Sequence, residues 1–143
     1  LGLKTKTVFL TGANGAPYDL VAAGDPRTYA DLLTAEGLAS MSSFVAGIGP
    51  EKSQVIPRNP DGTLGTPTDL VDTAHAAGLT VHPYTFRAEN NFLPADYRNG
   101  ADPADYGKII EEIKAYLATG IDGFFTDQPD IGVVAVEQFL AEQ

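Results

Sequence analysis

Cysteine is absent from the 143 residues of the chain. This absence excludes disulfide bonds and thiolate metal sites. It does not decide the compartment, because cysteine-free proteins occur in the cytoplasm, in the periplasm and outside the cell. The length of the chain, with 43% hydrophobic residues, predicts one small globular domain with a core of ordinary proportions.

Basic residues are scarce in this sequence. Nine Lys and Arg residues stand against nineteen Asp and Glu residues, which gives a formal net charge of −10 at pH 7. A surface of this sign repels polyanions. We therefore expect no nucleic-acid partner, and a bound phosphate ester would need a local basic group.

Long apolar runs are also absent. None approaches the roughly twenty residues that cross a bilayer, and no basic start followed by an apolar stretch predicts a signal peptide. The sequence thus predicts no membrane span. The chain begins Leu1-Gly2-Leu3-Lys4 without an initiator methionine and soon enters an apolar run, so we interpret it as a fragment or processed piece.

The sequence does contain a repeated order of helix, glycine and strand. Segments 36–40, 77–81 and 119–123 each place a glycine before an aliphatic residue, a pattern typical of a helix end followed by a strand. Together with an apolar run near the start of the chain, this pattern predicts strands over residues 7–11, 43–47, 80–86 and 123–127.

Helix starts repeat as well. Thr66-Pro67-Thr68-Asp69 and Asp102-Pro103-Ala104-Asp105 each supply a capping side chain, a proline for the first helical position and an acidic residue. Apolar spacing predicts the helices that follow them, another over residues 28–36, and a last one over residues 131–141 that Pro129 opens. The predicted order is β-α-β-α-β-α-β-α.

This order predicts an α/β fold with a parallel sheet covered by helices. An open nucleotide-binding sheet is disfavoured, because the first strand is followed by no Gly-x-Gly-x-x-Gly and no Gly-Lys-Ser or Gly-Lys-Thr loop; Gly12-Ala-Asn-Gly15 resembles one only superficially. A closed eight-fold β/α barrel takes about 250 residues. Residues 1–143, with four βα units, would be close to half of such a barrel, a single partial domain that leaves two unpaired edges.

Polar residues and long loops gather after the predicted strands. Loops 49–65 and 88–100 both follow strands, so we expect them on the same face, where ligands bind in folds of this class. Alternation along the third strand predicts that His82, Tyr84 and Phe86 share one face of the sheet.

Three motifs, Gly47-Ile-Gly-Pro50, Val81-His-Pro-Tyr-Thr-Phe-Arg87 and the segment from Gly120 to Asp130, lie at strand ends. In order and spacing they resemble the periplasmic or secreted branch of the glycerophosphodiester phosphodiesterase family, over most of the chain from about Val45 onward. The resemblance implies a TIM barrel that hydrolyses glycerophosphodiesters to glycerol 3-phosphate and an alcohol. It also implies a divalent cation, Ca²⁺ or Mg²⁺, and a periplasmic or secreted location.

The matching motifs belong to the carboxyl-terminal half of the family's barrel. The resemblance places the catalytic histidine pair and the acidic metal ligands in the amino-terminal half, and none of their motifs occurs here. Cleaving a phosphodiester needs a base or nucleophile, an acid and cations. The chain has two histidines, and they cannot supply these groups together. His75 lies in a helical segment and is predicted to pack against the helix or face solvent, whereas His82 lies in a strand. We therefore expect no catalytic residue, no metal ligand and no activity in this chain alone.

Four residues are predicted to contact the substrate. Tyr84 corresponds to an aromatic residue that lines the family's pocket, with an ordinary core role as the alternative. Lys52 and Arg87 are the basic residues best placed to contact phosphate, unless they form loop salt bridges instead. Phe125 is predicted to pack against the glycerol carbons or, alternatively, in the core.

Two residues are predicted to support the site without touching the substrate. His82 lies two residues deeper than Tyr84, so we expect it to form hydrogen bonds beneath the site. Asp127, before a Gln-Pro-Asp turn, is expected to brace neighbouring loops by accepting backbone hydrogen bonds rather than to bind metal. The acidic pair Glu111-Glu112 lies on a helix face and is only weak evidence for a calcium site.

The partner of this half-barrel is left open by the sequence. It is either the amino-terminal half of the same barrel or a second copy of the chain, which would make a noncatalytic, self-associating module for binding or structure. A third alternative is a barrel phosphodiesterase for phosphoinositide or sphingolipid head groups, with the loop over residues 90–99 selecting the substrate.

Overall fold

Strands and helices alternate along the chain. The computed structural model describes residues 4–143; residues 1–3, where the sequence lacks an initiator methionine, lie outside the described part. The strands are β1 (Val8–Thr11), β2 (Gly47–Pro50) and β3 (Thr80–Val81). The α-helices are α1 (Tyr18–Ala22), α2 (Tyr29–Leu32), α3 (Ala35–Met41), α4 (Leu70–Ala76), α5 (Ile109–Leu117) and α6 (Pro129–Ala141), and short 3₁₀ helices cover Lys52–Gln54 and Ala95–Tyr97.

The three strands form a parallel sheet in the order β1-β2-β3. β1 and β2 pair from Val8 with Gly47 to Thr11 with Pro50, and β3 pairs with β2 from Thr80 with Gly47. Because all three strands run the same way, their carboxyl ends lie at one edge of the sheet. The residues that follow each strand are therefore brought together.

A fourth extended segment, residues 123–127, continues the sheet beyond β3. The Phe125 N–H donates to the Pro83 carbonyl at 3.0 Å, and the Phe86 N–H donates to the Phe125 carbonyl at 2.9 Å. Phe86 and Thr126 form a parallel bridge. The predicted fourth strand is thus present as a segment with short pairing, and the predicted parallel α/β fold is confirmed. Residues 4–143 do not close into a barrel.

Helices cover one face of this sheet. Ile48 of β2 and Val81 of β3 are fully buried in an apolar core. The helical residues buried in the same core are Leu38, Met41, Leu70, Val71, Ala74, Ile109, Ile113, Tyr116 and Ala135. On the other face, Leu10 of β1 is 54% exposed and Phe125 of the fourth segment is 47% exposed. Within the described chain, this second face of the sheet is uncovered.

The sequence around Gly37 folds differently from the predicted helix end and from the predicted strand over residues 43–47. Gly37 lies inside α3, and a Cβ atom added to it would come 2.4 Å from the Leu32 carbonyl oxygen. Glycine is required there by close backbone packing and not by a helix stop. Since α3 continues to Met41, β2 starts four residues later than predicted.

Two threonine N-caps explain why the predicted helix over residues 28–36 is divided. The Thr28 hydroxyl accepts the Asp31 N–H at 3.4 Å, and the Thr34 hydroxyl accepts the Gly37 N–H at 3.2 Å. Each cap satisfies a backbone donor that a helix start leaves without a partner. Two caps six residues apart therefore begin two short helices.

Two proline-containing segments that were predicted to start helices lie before the helices instead. α4 begins at Leu70, because Thr68 lies outside the helix and donates both its hydroxyl and its N–H to the Val55 carbonyl, at 3.2 Å and 2.8 Å. α5 begins at Ile109, because the Asp102 carboxylate instead accepts the N–H of the residue two positions later at 2.9 Å. Asp-Pro and Thr-Pro pairs are compatible with both structures.

The other predicted helix boundaries are confirmed. Gly78 follows α4 with φ 77°, and Gly120 follows α5 with φ 87°. This left-handed conformation is unfavourable for other residues, so both glycines end their helices as predicted. Pro129 is the first residue of α6.

His75 fastens α4 to the amino end of the sheet. Its Nε2 lies 2.9 Å from Asp122 Oδ2, which also accepts the Val81 N–H at 2.8 Å. Partial burial of Asp122 favours the neutral acid, but the hydrogen bonds from His75 and Val81 outweigh it and lower the pKa of Asp122. His75 thus has the helix-packing position that the sequence predicts.

A buried ion pair connects the loop after β2 with α5. Lys52 Nζ lies 2.7 Å from Glu112 Oε1, and the two residues are 8% and 0% exposed. The Tyr116 hydroxyl donates to the Lys52 carbonyl at 3.0 Å, and its ring packs edge-on against Phe86. Burial raises the pKa of Glu112, and the attraction of Lys52 opposes that rise.

Replacing Lys52 tests how much the core depends on this pair. Lys52→Met leaves the Glu112 carboxylate buried without a counter-charge, so we expect a loss of about 3–5 kcal/mol in the free energy of unfolding. Urea denaturation measures it. The loss should become smaller as the pH falls from about 7 to about 5. Without Lys52, burial raises the pKa of Glu112 further, and the proton that Glu112 then binds removes the unpaired charge.

Lys114→Met is the matched control, because Lys114 forms its ion pairs with the exposed carboxylates of Glu111 and Glu142. Its cost should stay within about 1 kcal/mol. A Lys52→Met cost that does not change with pH would show that the uncompensated Glu112 charge is not its cause.

Candidate functional site

The carboxyl ends of the strands enclose an open depression of about 360 Å³. Leu10 of β1, Tyr84 after β3 and Phe125 of the fourth segment contribute its apolar and aromatic wall. Thr85, Thr126 and Asp127 complete the lining. The depression lies on the uncovered face of the sheet, at the edge where parallel folds bind ligands.

Tyr84 lies in the wall of this depression. Its hydroxyl donates to the Thr11 carbonyl at 3.0 Å, which fixes the ring against the end of β1. Partial burial raises the pKa of Tyr84, and the nearby Glu51 carboxylate adds a smaller rise. The hydroxyl is therefore a neutral donor near neutral pH, and its proton is already committed to a backbone oxygen.

A glutamine that the sequence analysis missed joins the ends of β1 and β2. Gln54 Oε1 accepts the Thr11 hydroxyl and the Glu51 N–H, both at 3.0 Å, and Gln54 Nε2 donates to the Gly12 carbonyl at 3.0 Å. The Glu51 carboxylate in turn accepts the Ser53 N–H at 3.0 Å. The spacing Glu51-x-x-Gln54 is that of a capping box and was the available signal.

The two basic residues predicted to contact phosphate differ in depth, since one lies at the rim and the other is buried beneath a loop. Arg87 lies at the rim with its side chain 36% exposed, and its Nε is 3.0 Å from Asp127 Oδ2. Lys52 lies beneath the loop over residues 88–100, in the ion pair with Glu112. Phe92 separates them, since its carbonyl is 3.4 Å from Lys52 Nζ and its ring centroid 3.8 Å from the guanidinium carbon of Arg87.

His82 lies next to the fourth segment. A Cβ atom added to Gly123 would come 2.7 Å from His82 Cδ2, so the imidazole packs directly on the glycine. Its Nδ1 is buried and has no hydrogen-bond partner among residues 4–143.

Strand alternation predicted that Phe86 shares a face of the sheet with His82 and Tyr84, and this prediction was wrong. It is fully buried in the core, with its ring 4.9 Å from Tyr116 and 5.4 Å from Phe124. Regular pairing in β3 ends at Val81. Without a regular strand beyond that residue, the period of two does not extend to Phe86.

The turn after the fourth segment is braced by residues adjacent to Asp127. The Gln128 side-chain oxygen accepts the Ala88 N–H at 3.0 Å, and the Thr126 hydroxyl donates to the Phe86 carbonyl at 3.0 Å. The Asp127 carboxylate, half-exposed, pairs instead with Arg87. Asp127 therefore holds a side chain at the rim, while its neighbours hold the backbone.

The described residues do not fit a resident metal ion. Across residues 4–143, no three His, Cys, Asp or Glu side chains are grouped so that they could hold one. The depression offers an anchored tyrosine and an exposed phenylalanine, and the Asp127 of its lining is paired with Arg87. Such an arrangement suits binding of an anionic group next to a carbon chain.

The helices of residues 4–143 include none with the length and apolar character needed to cross a bilayer.

Comparisons with known proteins agree with the motif resemblance. A sequence profile of the glycerophosphoryl diester phosphodiesterase family matches residues 6–131. The chain is 41% identical to glycerophosphodiester phosphodiesterase GDPD6 of Arabidopsis thaliana over 102 residues, which is 71% of this chain and 25% of that protein. It is 30% identical to glycerophosphodiester phosphodiesterase GDPDL1 of the same plant over 116 residues, 79% of this chain and 14% of the relative.

The chain thus spans a quarter or less of these two relatives. The family's fold is a TIM barrel, and the parallel sheet with its helices is consistent with part of one. Since the family profile covers most of the sequence, the chain belongs to the glycerophosphoryl diester phosphodiesterase family.

Proposed function

We propose that the chain is the carboxyl-terminal half of a glycerophosphodiester phosphodiesterase barrel, and that the complete barrel hydrolyses glycerophosphodiesters to glycerol 3-phosphate and an alcohol. The observation that carries this proposal is the depression at the strand ends, which opens onto a sheet face left uncovered by residues 4–143. Family membership supports it. A barrel interior would cover Leu10 and Phe125, which are half-exposed here.

The half-barrel contributes binding groups. The unengaged part of the Arg87 guanidinium would contact a phosphate oxygen, Tyr84 would form a fixed wall, and Phe125 would pack against the glycerol carbons. Lys52, the second predicted phosphate contact, is paired with Glu112, so in this proposal it acts on the site by supporting the loop above it.

The chemical groups of the reaction would come from the amino-terminal half. Enzymes of the family generally use a divalent cation, and the described residues do not fit one. We therefore place the cation ligands, for Ca²⁺ or Mg²⁺, outside this chain, together with the catalytic histidines. The resemblance of the three strand-end motifs to the periplasmic or secreted branch supports a periplasmic or secreted location.

Activity measurements test this division of labour. The 143-residue chain with Mg²⁺ or Ca²⁺ should release no glycerol 3-phosphate from glycerophosphocholine, because the acid, base and cation ligands are missing. Mixing the chain with the amino-terminal half of a family barrel should restore the release of glycerol 3-phosphate. An enzyme-coupled assay for glycerol 3-phosphate measures this release. Turnover by the chain alone would contradict the proposal.

Arg87 is the residue whose substitution tests the phosphate contact. In the reconstituted barrel, Arg87→Met should lower kcat/KM roughly 10- to 100-fold, because a charge-assisted hydrogen bond to phosphate is lost. Arg27→Met is the matched control, since Arg27 forms an exposed pair with Asp25, outside the residues that line the depression. Equal kcat/KM values for the two variants would exclude Arg87 from substrate binding.

A second candidate function is a noncatalytic module formed by two copies of the chain, favoured by the same exposed apolar face. Self-pairing predicts a homodimer in analytical ultracentrifugation. Phe125→Lys should dissociate it by placing like charges in the interface. Val21→Lys, on exposed α1, should leave it intact. A wild-type chain that stays monomeric at about 100 times the concentration used for activity would exclude this function.

A further inference from the structure

The two long loops at the rim interlock around Phe92. The Ala95 N–H donates to the Gly62 carbonyl at 2.8 Å, and the Leu64 N–H donates to Asp96 Oδ1 at 3.1 Å. These contacts join the loop over residues 88–100 to the loop over residues 49–65. Their backbones are therefore held as one unit above the core.

Two basic side chains of the loop over residues 49–65 contact the backbone of Phe92. Its carbonyl oxygen lies 3.4 Å from Lys52 Nζ and also accepts a hydrogen bond from Arg58 Nη2. Lys52 is itself fixed by the buried Glu112 carboxylate. The position of Phe92 is thus tied through Lys52 to α5.

The ring of Phe92 lies against the guanidinium group of Arg87, 3.8 Å from its central carbon. Asp127 Oδ2 is 3.0 Å from Nε at one edge, and Glu89 Oε1 is 3.5 Å from Nη2 at another. Nη1 takes part in no hydrogen bond or ion pair with residues 4–143, whereas Nε, although 3.0 Å from Asp127 Oδ2, is buried and makes no hydrogen bond with them. The ring and the two carboxylates orient the group and leave one nitrogen available.

Phe92 is not needed to anchor its loop in the core. That role belongs to its neighbour Leu93, which is fully buried, whereas Phe92 is partly exposed and outside the apolar core. A flexible arginine loses rotamer freedom when it binds an anion, and a stacked ring imposes part of that order beforehand. A cation on an aromatic face is also attracted to it.

We propose that Phe92 is a positioning residue, which holds the Arg87 guanidinium in the orientation that presents Nη1 to the phosphate of the substrate. This inference rests on the proposed function, because it assumes the phosphate contact of Arg87. It assigns the interlocked loops a role in binding: they carry a ring that keeps a single arginine in place.

Nuclear magnetic resonance of the Arg87 side chain tests the positioning directly in the 143-residue chain. In the wild type, the ring current of Phe92 should shift the Arg87 Nε–H signal away from the signals of exposed arginines, and its relaxation should show an ordered group. Phe92→Met, which conserves most of the volume, should abolish both effects. Phe92→Tyr should keep both, because it retains the ring face.

Titration with glycerol 3-phosphate, followed on the same signal, tests the consequence. Phe92→Met should weaken binding roughly 2- to 30-fold, in line with the strength of a cation–aromatic contact, and Phe92→Tyr should bind as the wild type does. Phe44→Leu is the control, because Phe44 is an exposed aromatic residue far along the chain from Arg87 and absent from the lining of the depression.

The outcomes separate the two proposals. If the chemical shift and relaxation of the Arg87 Nε–H signal in the wild type match those of exposed arginines, the positioning role is overturned, and no variant is needed for that conclusion. Equal order and equal affinity in the wild type and Phe92→Met would overturn it too, while leaving the phosphate contact intact. Order that depends on the ring, without binding of glycerol 3-phosphate, would support the positioning of Arg87 and contradict its proposed phosphate contact.

Discussion

The ion pair between Lys52 and Glu112 is the constraint on which the rim of the site depends. Two charges in an apolar interior are costly unless each neutralises the other. Here the pairing fixes the second residue after β2 to a helix that begins more than fifty positions later. The loops above it are built on this junction, since Lys52 also contacts the Phe92 carbonyl. A charge pair in the core therefore determines where the two loops of the candidate site lie.

The same junction gathers positive charge in a strongly acidic chain. Three cations, Lys52, Arg58 and Arg87, surround Phe92, on its carbonyl and on its ring. Carboxylates compensate two of them, because Glu112 pairs with Lys52, and Glu89 and Asp127 pair with Arg87. The negative charge of −10 is a property of the whole molecule, whereas the potential at this rim is set by pairs within a few ångströms.

Sequence patterns predicted the fold wherever one residue had a single physical role. Gly78 and Gly120 end helices because the left-handed conformation favours glycine. The strands predicted beyond them, over residues 80–86 and 123–127, are present in part, as β3 over residues 80–81 and as a bridge of Thr126 to Phe86. The prediction for Gly37 was wrong, because glycine also permits close backbone contact, and sequence does not distinguish the two uses. The boundaries of α4 and α5 were wrong because Thr-Pro and Asp-Pro segments also occur outside helices, with their polar groups bonded elsewhere.

For the site, the sequence identified residues at strand ends, and the structure places Tyr84, Phe125 and Asp127 around one depression. The contacts between loops were not predictable. Gln54 bridges two strands, and the Phe92 carbonyl contacts Lys52, through partners about forty residues away in the chain. Such contacts depend on how loops 49–65 and 88–100 meet in space, and local spacing contains no information about that.

The sheet order β1-β2-β3, continued by residues 123–127, is also the order of synthesis. Each strand pairs with the one made just before it, and none has to insert between two strands already paired. The sheet can therefore grow from one edge while the chain is still leaving the ribosome, with a similar loop-closure entropy at each addition. A segment with this order suits stepwise assembly, because every intermediate is a smaller version of the same parallel sheet with one growing edge.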